Sequence, residues 1–150
     1  MHQFFQSLEK DHNEVRDILE QLAQTSEGAA KTKEKLFMKL KHELLPHMKG
    51  EEKGLYPVLM ENRDVREKAM ESLEEHHVAE TVFNELDKLP KDKENWSAKL
   101  KVFKEIVEHH IEEEEDEVFD IAGEILDDDQ LDQIMESFEN EKEKIKEQLG

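Results

Sequence analysis

Apolar residues recur along this chain at steps of three and four, the period of a helix with one face turned inward, and nowhere do they alternate as a half-buried strand would. The first stripe is Phe5, Leu8, Val15, Ile18, Leu19 and Leu22, and it ends at "QTSEGAAK". A second follows Leu36, Leu40 and Leu44, and a third follows Ala69, Leu73, Ala79, Val82, Phe83 and Leu86 before "LPKDKEN". The fourth is Leu100, Phe103, Val107, Val118, Ala122 and Ile125. "LDDDQ" opens a fifth helix, because acidic side chains accept free helix amides and face the positive end of the dipole. That helix carries Leu131, Ile134, Met135, Phe138, Ile145 and Leu149. With only five glycines and three prolines as interruptions, the pattern predicts an all-α chain of five helices.

Polar residues break each of the first four stripes in phase. His12 falls in the gap of the first and His76 in the gap of the third. On the second, His47 and Glu51 take the inward positions after Leu44, and on the fourth His110 and Glu114 stand between Val107 and Val118. Four residues advance a helix by about 6 Å and about 40° beyond a full turn, so each His-x-x-x-Glu pair shares one face.

The chain also repeats itself. Shifted by 63 residues, Leu40, Leu44, His47, Glu51, Leu55 and Tyr56 overlie Phe103, Val107, His110, Glu114, Val118 and Phe119, each match keeping its chemical kind. Shifted by 64, His12, Val15, Ile18, Leu19 and Leu22 overlie His76, Ala79, Val82, Phe83 and Leu86. Two copies of one hairpin predict an up-down-up-down four-helix bundle over residues 1–125, with 126–150 as an additional C-terminal helix. Every candidate site residue precedes that helix, so removing it is expected to spare the site. Pro46 is expected to kink the second helix without ending its phase. Gly54, one turn past Glu51, is expected either to leave space for a small molecule or to permit close packing.

Four imidazoles and two carboxylates buried without partners would be prohibitively unfavourable, so a cation must lie among them. The chain has no cysteine, which removes thiolate sites, iron-sulfur clusters and thiol catalysis and suits a reducing compartment. Two divalent ions fit: each takes two imidazoles, both share the two glutamates, and positions remain for a bridging oxygen and a small ligand. The other histidines, His2, His42, His77 and His109, are expected in solvent or at helix boundaries. The run "EEEEDE" is expected to be mostly a solvated acidic face, in which only Glu114 has a twin of the same kind in the other hairpin, namely Glu51. Glu80, four residues after His76, is expected to ligate or back the metal shell, or else to stand exposed at the edge of the stripe.

Forty acidic against 21 basic residues give a formal charge of −19, which repels phosphate backbones and anionic lipid and makes nucleic acid and membrane poor partners. The opening "MHQFFQSLEKDH" lacks the basic end and apolar run of a signal peptide, and no long apolar run follows it. The chain is therefore expected to be soluble and cytoplasmic. No serine, cysteine or lysine stands in a recognisable nucleophile arrangement.

The set His12, His47-x-x-x-Glu51, His76, His110-x-x-x-Glu114, with the phrases "HMKGEEKGLYP" and "EEHHVAE", resembles the hemerythrin-like family of cation-binding four-helix proteins over roughly residues 8–120. The resemblance implies that these six residues are iron ligands, holding two iron ions with an oxo or hydroxo bridge that take dioxygen, nitric oxide or peroxide. Imidazole and carboxylate donors also admit manganese or zinc. The oxygen carriers of the family carry His-x-x-x-His on the third helix and His-x-x-x-x-Asp on the fourth. Here Glu80 replaces the histidine and Glu115 takes the aspartate slot. An anionic Glu80 would favour ferric iron, which points away from reversible carriage and toward sensing or scavenging. Two other functions stay open at this level. One is iron storage or donation, including iron-sulfur centre repair. The other is a structural or adaptor bundle, with the C-terminal helix meeting a second copy or a partner.

Overall fold

Each predicted stripe forms a helix, and the connections fall where glycine, proline and polar clusters interrupt it. The computed structural model describes residues 1–150. In order they form α1 (Gln3–Ala23), α2 (Ala30–Gly54), the short α3 (Tyr56–Met60), α4 (Arg66–Lys88), α5 (Glu94–Glu113), one π-helical turn (Glu114–Val118), α6 (Phe119–Ile125) and α7 (Asp128–Leu149). The fourth predicted helix is thus α5, the π turn and α6 end to end. Such turns are commonly found where a helix carries a functional side chain, and this one begins on Glu114.

Helix α2 runs through Pro46, keeping Leu40, Leu44, His47 and Glu51 in phase, and breaks instead at Leu55, where the backbone turns (φ −100, ψ −58) before α3 resumes. The two interruptions are in register: α3 starts at Tyr56 and α6 at Phe119, residues that overlie one another in the repeat. Both hairpins interrupt the regular α-helix at or just beyond the glutamate.

The apolar core is split in two. One cluster includes Leu19, Phe37, Phe83, Trp96 and Phe103, with the Trp96 indole N–H donating to the Leu86 carbonyl at 2.9 Å. The other includes Phe4, Leu8, Leu55, Phe119, Ile134 and Phe138. A polar layer lies between them.

A capping box starts α7, with the Asp127 carboxylate accepting from the Gln130 amide at 2.8 Å and the Gln130 side chain accepting from the Asp127 amide at 2.9 Å. Its residues Leu131, Ile134 and Phe138 are buried within the chain. The helix lies close along α2 because two glycines make room for it. A Cβ on Gly50 would come within 2.6 Å of the Phe138 ring, and one on Gly54 within 2.9 Å of the Phe138 backbone nitrogen. Close packing, not space for a ligand, is what Gly54 provides. No helix is long and apolar enough to cross a membrane.

Candidate metal centre

Helices α1, α2, α4 and α5 each turn one imidazole into the polar layer, and the six residues marked by the repeat meet there. His12, His47, Glu51, His76 and Glu114 are buried, and His110 is 14% exposed. They form two quartets, His12, His47, Glu51 and Glu114, and His76, His110, Glu51 and Glu114, in each of which one donor atom per residue lies within 4.8 Å of the others. His12 Nε2 is 3.4 Å from Glu114 Oε1 and His47 Nε2 is 3.4 Å from Glu51 Oε1. His76 Nε2 is 3.2 Å from Glu51 Oε1 and His110 Nε2 is 3.4 Å from Glu114 Oε2. Both glutamates are common to both quartets.

The outer nitrogens are equally organised. Nδ1 of His12 meets Glu115 at 2.8 Å, that of His47 meets Asp11 at 2.9 Å, that of His76 meets Glu52 at 2.9 Å and that of His110 meets Glu75 at 2.7 Å. An ionised carboxylate only accepts, so each Nδ1–H donates and each ring is left presenting Nε2 to the centre. Metal-ligating imidazoles are oriented in this way. The four carboxylates obey the repeat as well: Asp11 overlies Glu75, and Glu52 overlies Glu115. The expectation that Glu114 alone of its run had a twin is therefore corrected, since Glu115 has one and faces His12. Behind three of these carboxylates stand cations. Lys142 Nζ donates to both Asp11 oxygens at 2.9 Å, Arg16 to Glu115 at 3.2 Å and Lys49 to Glu52 at 3.3 Å.

Glu80 stays outside. It accepts from Lys49 Nζ at 2.8 Å, and the Nδ1 it was positioned to reach on His76 is taken by Glu52. The remaining histidines also stay away: His2 caps α1 and bonds Asp132, His42 bonds the Met38 carbonyl, and His77 and His109 are exposed. One further residue does reach the centre. The Tyr56 hydroxyl donates to Glu114 Oε2 at 2.8 Å and lies 3.3 Å from Glu51 Oε1 and 3.2 Å from His76 Nε2. Its match with Phe119 as a fellow aromatic concealed it in the sequence.

Three buried atoms facing the centre, His47 Nε2, Glu51 Oε2 and Glu114 Oε1, have no hydrogen-bond partner. Orphaned polar atoms at this depth are costly, and a cation in each quartet would satisfy them. The residues fit a bound metal.

The electrostatics agree. Burial opposes charge on His47, but the Glu51 charge and the bond to Asp11 outweigh it and carry its pKa up to about 10. Burial likewise opposes charge on His110, and bonds to Glu114 and Glu75 push it to about 10. His12 and His76 are raised too, their glutamate partners overcoming burial. Burial would raise Glu114, yet Glu51, His110 and His12 hold it well below the usual carboxylate range. In the metal-free chain protons stand in for the cations, and a metal must displace them.

A pH dependence follows. The stabilisation by protonated His47 and His110 is fully present below their ordinary value of 6.5 and is lost as pH rises toward about 10. The thermal midpoint of metal-free protein should fall over that window, whereas metal-loaded protein should hold its midpoint and release protons as it loads. Equal metal-free midpoints at both ends of the window would contradict this account of the centre.

Fold and donor set together define a class: an all-helical bundle around a buried His/Glu cluster compatible with cation binding. Within that class the chain belongs to the hemerythrin family, since residues 3–122 match the Hemerythrin HHE cation binding domain. Helix α7 lies beyond the matched residues. Neither the curated proteins nor the solved structures give a significant match.

Proposed function

We propose that this chain is a di-iron protein that binds a small diatomic or peroxide ligand as a sensor or scavenger, not as an oxygen carrier. His12 and His47 would hold one ion, His76 and His110 the other, with Glu51 and Glu114 shared. The observation that carries the reading is the space at the centre. A cavity of about 20 Å³ lies between these imidazoles and the apolar side chains of Val15, Leu44, Met48, Ala79, Val107 and Ile111. That is about the space one water molecule requires, which suits a small ligand beside the bound ions. The apolar wall favours small uncharged molecules such as dioxygen, nitric oxide or hydrogen peroxide.

When bound, iron would supply the redox electrons and the open coordination positions. The chain supplies orientation and field. Asp11, Glu52, Glu75 and Glu115 fix the imidazoles through Nδ1, and their negative charge strengthens the rings as donors and favours the ferric state. This role, expected of Glu80, passes to them because they bond the imidazole Nδ1 atoms, whereas Glu80 bonds Lys49 outside the centre.

The test combines metal analysis of protein from iron-supplied cells with cycles of reduction, aeration and deoxygenation. Two irons per chain are expected, and the reduced protein should oxidise once and stay ferric when oxygen is removed. Uptake that reverses through many cycles would restore the carrier reading. Transfer of iron to an acceptor on reduction would favour iron donation.

A further inference from the structure

We propose that the Tyr56 hydroxyl is a fifth protein ligand to the ion held by His76 and His110, so that the two metal positions are chemically unequal. The inference rests on the di-metal reading above and concerns how the two positions differ.

Spacing carries it. Two donors about 2.1 Å from one ion and at right angles to it are about 3.0 Å apart. The Tyr56 oxygen lies 2.8 Å from Glu114 Oε2, 3.2 Å from His76 Nε2 and 3.3 Å from Glu51 Oε1. Those three atoms belong to one quartet, and its own members show the same separation: His76 Nε2 is 3.1 Å from His110 Nε2 and 3.2 Å from Glu51 Oε1. The phenol oxygen is thus placed among the donors as one of them.

The repeat supplies the control. Phe119 overlies Tyr56, and its ring lies nearly parallel to that of His12, centroids 6.1 Å apart, but it brings no oxygen to the centre. A tyrosine needed only to fill this part of the core could be phenylalanine, as in the other hairpin. Tyr56 is 0% exposed, so its hydroxyl has no access to water and depends on the centre for its partners. The break at Leu55 delivers it there, since α3 begins with Tyr56 itself.

The proton now donated to Glu114 leaves to solvent as the oxygen lone pair bonds the ion, and Glu114 Oε2 is released to bond the same ion. The His76–His110 position then has five protein donors and the His12–His47 position four. Coordination positions for an incoming small molecule are therefore concentrated on the His12–His47 ion.

Tyr56 is the chain's single tyrosine, so any phenolate signal is its own. The full chain is loaded with ferric iron, its metal content is measured, and its visible absorption and resonance Raman spectra are recorded with ordinary and with ring-deuterated tyrosine. The expected result is two irons per chain and a phenolate-to-iron charge-transfer band whose enhanced ring modes shift with the label. Tyr56→Phe should abolish the band while keeping both irons. If that variant does not fold, the labelled parent decides alone. Two irons without label-sensitive modes overturn the inference and leave the proposed function standing, whereas failure to bind iron, seen in the metal analysis, removes both.

Discussion

If two ions bind as proposed, Glu114→Ala is expected to lose both, whereas His47→Ala should lose one. The difference follows from how the donors are shared. Glu114 belongs to both quartets, with one oxygen toward His12 and the other toward His110, and it is 1% exposed, so water cannot readily replace it. Its neighbour Glu115 cannot substitute, being held by His12 Nδ1 and Arg16. His47 belongs to one quartet only, and its loss leaves His76, His110, Glu51 and Glu114 in place. The supporting carboxylates should matter less: Asp11→Ala removes the partner of His47 Nδ1 without removing a donor, and changes of that kind typically cost about 10–100-fold in metal affinity. Stoichiometry after dialysis against a graded chelator separates the three outcomes. A Glu114→Ala protein that retains one ion at parental affinity would show that the glutamates are not shared.

The six central residues were legible because each lies on an apolar stripe and each has a counterpart one repeat away. Their supports were harder to see for a geometric reason. Asp11 and Glu75 stand one residue before an inward histidine, and Glu52 and Glu115 one residue after an inward glutamate, which turns them about 100° off the stripe. Periodicity within one helix assigns such positions to solvent. Only the neighbouring helix, at the right height, converts them into partners for Nδ1. The repeat did contain the signal, had it been extended by one residue on each side. Glu80 shows the opposite failure, because its spacing from His76 suits a ligand but Lys49 on α2 captures it across the helix boundary. Nothing in a single helix's pattern announces an interhelical cation. The π turn was similarly hidden, since Val118 and Ala122 keep an acceptable helical phase while the backbone accommodates one wider turn. Close packing was one of two readings open for Gly54, and Gly50 went unread, because the helix that packs on both lies outside the repeat.

Removal of Asp127–Gly150 is expected to weaken the His12–His47 position selectively, although the repeat alone suggested that the whole centre would survive. Two residues of α7 make the connection. The Phe138 ring lies edge-on to His47, centroids 5.6 Å apart, and Lys142 holds both oxygens of the Asp11 carboxylate that orients the same imidazole. The other pair is served from within the bundle, His76 by Glu52 and His110 by Glu75. Truncation also uncovers apolar surface. Losing the burial of Leu131, Ile134 and Phe138 at about 1.5–3 kcal/mol each consumes much of a net stability that is typically about 5–15 kcal/mol. The metal-free truncated chain should therefore melt far below the parent. Metal, binding only the folded form, should recover part of the loss. In stepwise titrations one ion should bind nearly as in the parent and the other about 10–100-fold more weakly, the range for lost outer support. Lys142→Met separates this from general loosening, because it keeps α7 and its apolar contacts while removing the cation from Asp11. It should weaken the same ion and move the melting midpoint little. Two ions bound at parental affinity by both the truncated chain and Lys142→Met would show that α7 does not support His47 and that the extension is independent of the centre.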